Sequence, residues 1–231
     1  MGAFDQSLLH HVGRIVIIAV VFFIIEVGTG CDPELVFCAI QGNYTGDPVR
    51  IPLWSAFFSI LKDLFDCHII GVDMVNDVWG LTYDGKMADV VAKYDGEVCI
   101  MHNQEGTDYD KDIMEAIKEF LQNSIDMALK AGVKKEKIVL DPGIGFGKTY
   151  EQNIEVLERL GELRDLGYPV LLGTSRKSVI GNVLNVEPKE RLEGTIATTV
   201  LGVRDGVDIV RVHDVKENLK AAKMADAIYR K

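Results

Sequence analysis

From residue 71 to the end, short β-rich runs alternate with longer amphipathic runs, and this alternation constrains the fold more than any other feature of the chain. Residues 72–78 read as a strand, 86–93 as a helix, and 97–102 as a strand ending in polar residues. Ile113, Met114, Ile117, Phe120, Leu121, Ile125 and Leu129 recur at three-to-four spacing, which predicts a long helix ending near Gly132. A strand over 137–140 and a helix over 150–166 follow. Next come a strand over 169–172, a loop and a helix over 192–203. A last strand over 208–212 and a closing helix over 216–229 complete five βα units without a hairpin turn between them. Such a succession implies a parallel sheet with helices outside it, either a TIM-type barrel or a doubly wound sheet. Every strand ends in a polar cluster: Asn76-Asp77, His102-Asn103, Asp141, Thr174 to Lys177, and Arg211 to Asp214. Strand ends converge at the C-terminal mouth of a barrel, so the repetition favours a barrel with its site there.

The first 70 residues differ in composition. Only ten charged side chains fall there, against 25 basic and 35 acidic over the whole chain. The apolar run over 15–25 is shorter than the about 20 residues a membrane span needs. It reads as a buried parallel strand with part of a preceding helix, or as the apolar stretch of a signal peptide flanked by Arg14. Asp5 and the scarcity of positive charge upstream favour the buried strand. Cys31, Cys38, Cys67 and Cys99 form no C-x-x-C pair and have no His at metal-ligand spacing. That usage fits a reducing, cytoplasmic setting. The formal net charge of −10 argues against a broad nucleic-acid surface, which needs clustered cations, and no segment calls for a membrane.

Three runs could carry chemistry. Asp141-Pro142-Gly143-Ile144-Gly145-Phe146-Gly147-Lys148-Thr149 fails the phosphate-loop pattern, since Pro142 stands where the first Gly belongs, and Lys148 breaks G-x-G-x-x-G. It reads either as a strand-to-helix turn with Asp141 as a cap or as a turn presenting Asp141 to a ligand. Gly173-Thr174-Ser175-Arg176-Lys177-Ser178 places two cations and three hydroxyls after a strand, as a solvated loop or as a binding loop. In Arg211-Val212-His213, residues two apart share a strand face. Arg211 and His213 can therefore grip an anion, or Arg211 forms a buried ion pair with a neighbouring carboxylate.

Together with Val75-Asn76-Asp77-Val78-Trp79-Gly80 and Ile100-Met101-His102-Asn103, these motifs resemble the dihydropteroate synthase family, in its order and spacing, from residue 71 onward. The resemblance implies a pterin-binding (β/α)8 barrel that joins 4-aminobenzoate to 6-hydroxymethyl-7,8-dihydropterin pyrophosphate, releasing pyrophosphate. By the resemblance, Asp141 and Asn76 read the pterin ring and Lys177 meets its carbonyl. Arg211 and His213 hold the pyrophosphate, Gly173 belongs to the binding loop, and Phe146 and Ser178 line the aminobenzoate side. Lys177, Arg211 and His213 are the expected catalytic residues. Mg²⁺ is the implied cofactor, and a homodimer the implied assembly.

Residues 1–70 depart from the family. They lack its metal-binding Asn-Val-Thr-Pro-Asp-Ser-Phe-Ser-Asp-Gly loop, so the protein ligand of Mg²⁺ is not found. Counting back from Asn76, Phe57 stands where the family has a pterin-binding Asp. The expected architecture is a single domain over 1–231, made of a divergent portion over 1–70 and five regular βα units over 71–231. It is a TIM-type barrel with the first βα unit missing or replaced. The expected activity is dihydropteroate synthesis. The alternatives are a non-catalytic or impaired pterin-binding homologue and a methyltetrahydrofolate–corrinoid methyltransferase.

Overall fold

The computed structural model describes residues 74–83 and 85–230, together with the backbone of two strands, Val16–Ala19 and Phe37–Ala39. Phe57 lies outside the described residues. The elements run β1 (Val16–Ala19), β2 (Phe37–Ala39), β3 (Met74–Asp77), α1 (Met87–Lys93), β4 (Glu97–Met101), α2 (Ile113–Ala131) and β5 (Ile138–Asp141). They continue α3 (Tyr150–Glu158), β6 (Leu171–Leu172), α4 (Ser178–Leu184), α5 (Leu192–Arg204), β7 (Ile209–Val212) and α6 (Val215–Tyr229).

Two sheets form, in the orders β2-β3-β4-β5 and β1-β7-β6. The β3–β4, β4–β5, β6–β7 and β7–β1 pairs are parallel. A single parallel bridge, Leu140 to Val170, joins β5 to β6 and links the sheets into one run. The exception to parallel pairing is β2, which lies antiparallel to β3 with Cys38 opposite Val75. The apolar run near the N-terminus contributes β1, paired with β7 from Val16–Ile209 to Ala19–Val212.

Alternation along the strands sorts side chains onto two faces. Val75, Val98, Ile100, Ile138, Leu140, Val210 and Val212 pack under the helices in the main core. Met74, Cys99, Val139, Leu171 and Ile209, one from each of five strands, form a separate buried cluster on the opposite face. The strands are thus covered by apolar side chains on both faces. Two residues further along three of these strands come Asn76, Asp141 and Arg211. Burial on both faces is what parallel strands require, and each fully buried aliphatic side chain contributes about 1.5–3 kcal/mol.

The expected long helix is α2. Its Ile113, Met114, Ile117, Leu121, Ile125 and Ala128 are buried. Asp112 caps it by accepting from the backbone N–H groups of Met114 and Glu115, at 3.0 and 3.1 Å. The helix expected over 150–166 is α-helical only to Glu158 and continues as a 3₁₀ turn, Leu160–Leu166. The segment read as a loop after β6 contains α4.

Candidate active site

The site is built at the C-terminal ends of β3, β5, β6 and β7. Arg211 on β7 donates from Nη1 to Asn76 Oδ1 at 2.6 Å and from Nη2 to Asp141 Oδ2 at 3.0 Å. Asn76 and Asp141 are 2% and 1% exposed, so the guanidinium satisfies polar groups that water does not reach. Of the two readings of Arg211 open from the sequence, the ion pair is present. Gly173 makes room for it: a Cβ there would come within 2.6 Å of Arg211 Nη2. The loop glycine therefore serves the arginine's approach.

Lys177 follows β6 and stands at the N-cap of α4. Its ammonium donates to the Ile144 carbonyl and lies 4.5 Å from the centre of the Phe146 ring. Burial pushes its pKa down to about 8, with Asp141 opposing and Arg211 adding to the shift. Phe146 and Lys177 thus meet. Ser178 opens α4 as an exposed residue.

His213 finds a partner that its motif did not announce. Ser175 Oγ lies 2.8 Å from His213 Nδ1 and accepts from the His213 backbone N–H at 3.1 Å. Burial, and then the Arg176 charge, hold this imidazole's pKa below its ordinary value, against a raising influence from Asp214. Between Ser175 and Lys177, Arg176 adopts a left-handed backbone with φ of 58°. It is pinned there by Asp214, at 2.7 and 3.2 Å, by Thr195 Oγ1 on its N–H, and by Arg191 on its carbonyl. Strain of this kind persists only where the surroundings over-determine it.

The end of β4 and the loop after β5 bring together two groups for which sequence reasoning had no role, His102 and Lys148. Lys148 Nζ is buried, 2.9 Å from His102 Nδ1, and donates to the Gly143 and Phe146 carbonyls, both at 3.0 Å. Burial lowers the Lys148 pKa to about 7. Burial first, and the Lys148 charge second, lower that of His102 to about 3. Gly143 has φ of +68°, and a Cβ would come within 1.9 Å of the His102 carbonyl oxygen. No other residue type fits there. The one signal in the sequence was a lysine closing a glycine-rich turn.

A buried carboxylate and amide thus meet cations at the ends of parallel strands, the kind of position where α/β folds place polar groups for a ligand. Residues 58–213 match the family model described as "Pterin binding enzyme", and the chain belongs to that family. It is 56% identical over 162 residues to the dihydropteroate synthase of Clostridium beijerinckii, covering 70% of this chain and 60% of the relative. Against the dihydropteroate synthase of Bacillus subtilis the identity is 48% over 161 residues, covering 70% and 56%. Among solved structures, a Clostridium difficile dihydropteroate synthase crystallised in the presence of pteroic acid is 78% identical, with a TM-score of 0.69, covering 70% of this chain and 61% of that one. The Yersinia pestis dihydropteroate synthase follows at 40% identity and a TM-score of 0.65, covering 68% and 64%. The chain therefore spans about 60% of the length of the curated relatives it matches.

Proposed function

We propose that this chain catalyses, or supplies most of the residues for, the dihydropteroate synthase reaction. The observation that supports this most is the convergence of Asn76, Asp141, Arg211 and Lys177 from four strand ends separated by up to 135 residues. In this reading the 4-aminobenzoate nitrogen attacks the pterin methylene. The C–O bond to pyrophosphate breaks, its electron pair leaves with the phosphate oxygen, and the amine proton passes to solvent. Asp141 and Asn76 accept hydrogen bonds from the ring N–H and amino groups, and Lys177 donates to the ring carbonyl. Arg211 and His213 stabilise the charge that develops on the leaving group. Since Arg211 also holds Asn76 and Asp141, the pyrophosphate competes with them for its guanidinium. Phe146, with Ser178 nearby in sequence to Lys177, lines the aminobenzoate side. Positioning and electrostatics supply the catalysis, with no covalent enzyme intermediate.

The proposal extends to a closed barrel, to a cytoplasmic location and to a homodimer. Among the described residues no helix is long and apolar enough to cross a membrane. Exposed Leu201 on α5 and Met224, Ile228 and Tyr229 on α6 offer apolar surface to a second copy, and sedimentation at the 25.6 kDa chain mass would overturn the dimer. Mg²⁺ is proposed, on the resemblance, as companion to the pyrophosphate. Among the described residues no three His, Cys, Asp or Glu side chains gather to hold a metal, and no step is drawn through it. The relatives named above carry neither alternative description, the impaired homologue nor the corrinoid methyltransferase.

The test is dihydropteroate formation from both substrates with Mg²⁺, beside Lys177→Ala. Product that vanishes in the variant while the fold persists supports the reading, and unchanged turnover contradicts the site. Arg211→Ala is expected to weaken the pterin pyrophosphate more than the pterin alcohol.

A further inference from the structure

Lys148 is a buried cation whose three close partners are two carbonyl oxygens and an imidazole nitrogen. Burying an ammonium without a carboxylate partner is costly, and an apolar residue of similar volume commonly serves stability as well or better. What the ammonium does is join elements. Gly143 and Phe146 are the two ends of one turn, since Phe146 N–H also donates to the Gly143 carbonyl at 3.0 Å. Both ends accept from Lys148, which lies in turn against His102 at the end of β4. Inside that turn is Ile144, whose carbonyl takes the Lys177 ammonium, and at its end is the Phe146 ring under the same ammonium. Two further ties act alongside: Tyr109 Oη donates to the Gly147 carbonyl at 2.7 Å, beyond the turn, and within it the Gly145 N–H donates to Asn153 Oδ1 at 2.6 Å.

We propose that Lys148 is a positioning residue for the aromatic amine: it staples the 143–146 turn to His102 and so sets where Phe146 stands. This rests on the dihydropteroate synthase reading of the same site. Asn76 is held by Arg211, and Asp141 both by Arg211 and by the Gly143 N–H at 2.8 Å. Arg211 keeps both groups anchored when the staple is lost, so loss of Lys148 falls on the amine substrate more than on the pterin.

The experiment compares the full chain with Lys148→Met, which keeps the volume and removes the donors. Amide exchange over 143–147 and separate steady-state constants for the two substrates are measured. Exchange over 143–147 is expected to rise about tenfold relative to β4, a factor of the size one charged hydrogen bond carries. The KM for 4-aminobenzoate is expected to rise by a similar factor, while that for the pterin pyrophosphate stays within about twofold and the unfolding temperature does not fall. Lys148→Gln, which retains an amide donor for the carbonyls, is expected to lie between the two and covers the case of a Met variant that does not fold. Unchanged exchange, or equal rises in both KM values, would overturn the proposal. A wild-type chain that makes no product sinks the functional reading instead, and the exchange measurement then still decides whether Lys148 places the turn.

Discussion

The His102 side chain sits where three demands meet. Its ring stacks on Tyr109 with centroids 6.1 Å apart and meets the edge of Phe120 at 4.9 Å, while Nδ1 faces the Lys148 ammonium. A ring so enclosed accepts a proton only at a pH of about 3, whereas in the unfolded chain it does so near 6.5. Between those values the unfolded chain binds a proton that the folded chain refuses, so stability falls as pH drops through this window. The expected contribution is on the order of a few kcal/mol between pH 6.5 and 3. It is read as the difference in unfolding free energy between wild type and His102→Gln across that range, and a difference independent of pH would refute it. None of this is written in the local sequence. Ile100-Met101-His102-Asn103 marks a strand with a polar end, but the lysine that faces the ring lies 46 residues away. Arg211 shows the same limit: its type and strand position were legible, and its partners, 135 and 70 residues distant, were not.

Elements were legible wherever burial has a period. The stripe of α2 predicts the helix because six of its apolar residues face one core, while α5 buries Thr195, Thr199, Gly202 and Val203 and α6 buries Asn218, Ala222 and Ala225 at the same three-to-four spacing. The continuous amphipathic pattern over 150–166 hid a change of helix type after Glu158. There Arg159 binds Asp112, Glu155 and Glu162 at 2.6, 2.8 and 2.7 Å and ties three segments together. The short α4 was hidden by the Ser175-Arg176-Lys177 run before it, which reads as a loop, and by Gly181 and Asn182, which weaken its helical pattern. At its start α3 carries a capping box: Thr149 Oγ1 accepts from Gln152 N–H at 3.2 Å, and Gln152 Oε1 accepts from Thr149 N–H at 2.7 Å. Thr149→Ala is expected to lower the unfolding free energy by about 1 kcal/mol and to leave the secondary structure content unchanged, as denaturant titration followed by circular dichroism would show. A cost near zero would mean that the Gln152 side chain alone suffices.

For the whole molecule, the regular alternation from residue 71 onward predicted the parallel strands and their order. The antiparallel β2 was not foreseen, because a three-residue strand in a compositionally distinct stretch carries no period to read. Among the described residues, the two sheets pair through the bridge between Leu140 and Val170. Arg211 belongs to the three-stranded sheet, whereas Asn76 and Asp141 both belong to the four-stranded one. The same guanidinium is thus a clasp between the two sheets, across the seam between β5 and β6. Arg211→Met should therefore accelerate amide exchange at Leu140 and Leu172, beside the seam, more than at Val98 in the middle of the four-stranded sheet. Uniform acceleration would show that the seam is held by other contacts. On the proposed reading, a ligand that draws the arginine toward its phosphates would unfasten the clasp as it binds, so that substrate and seam would compete for one side chain and release of the anion would close the seam again.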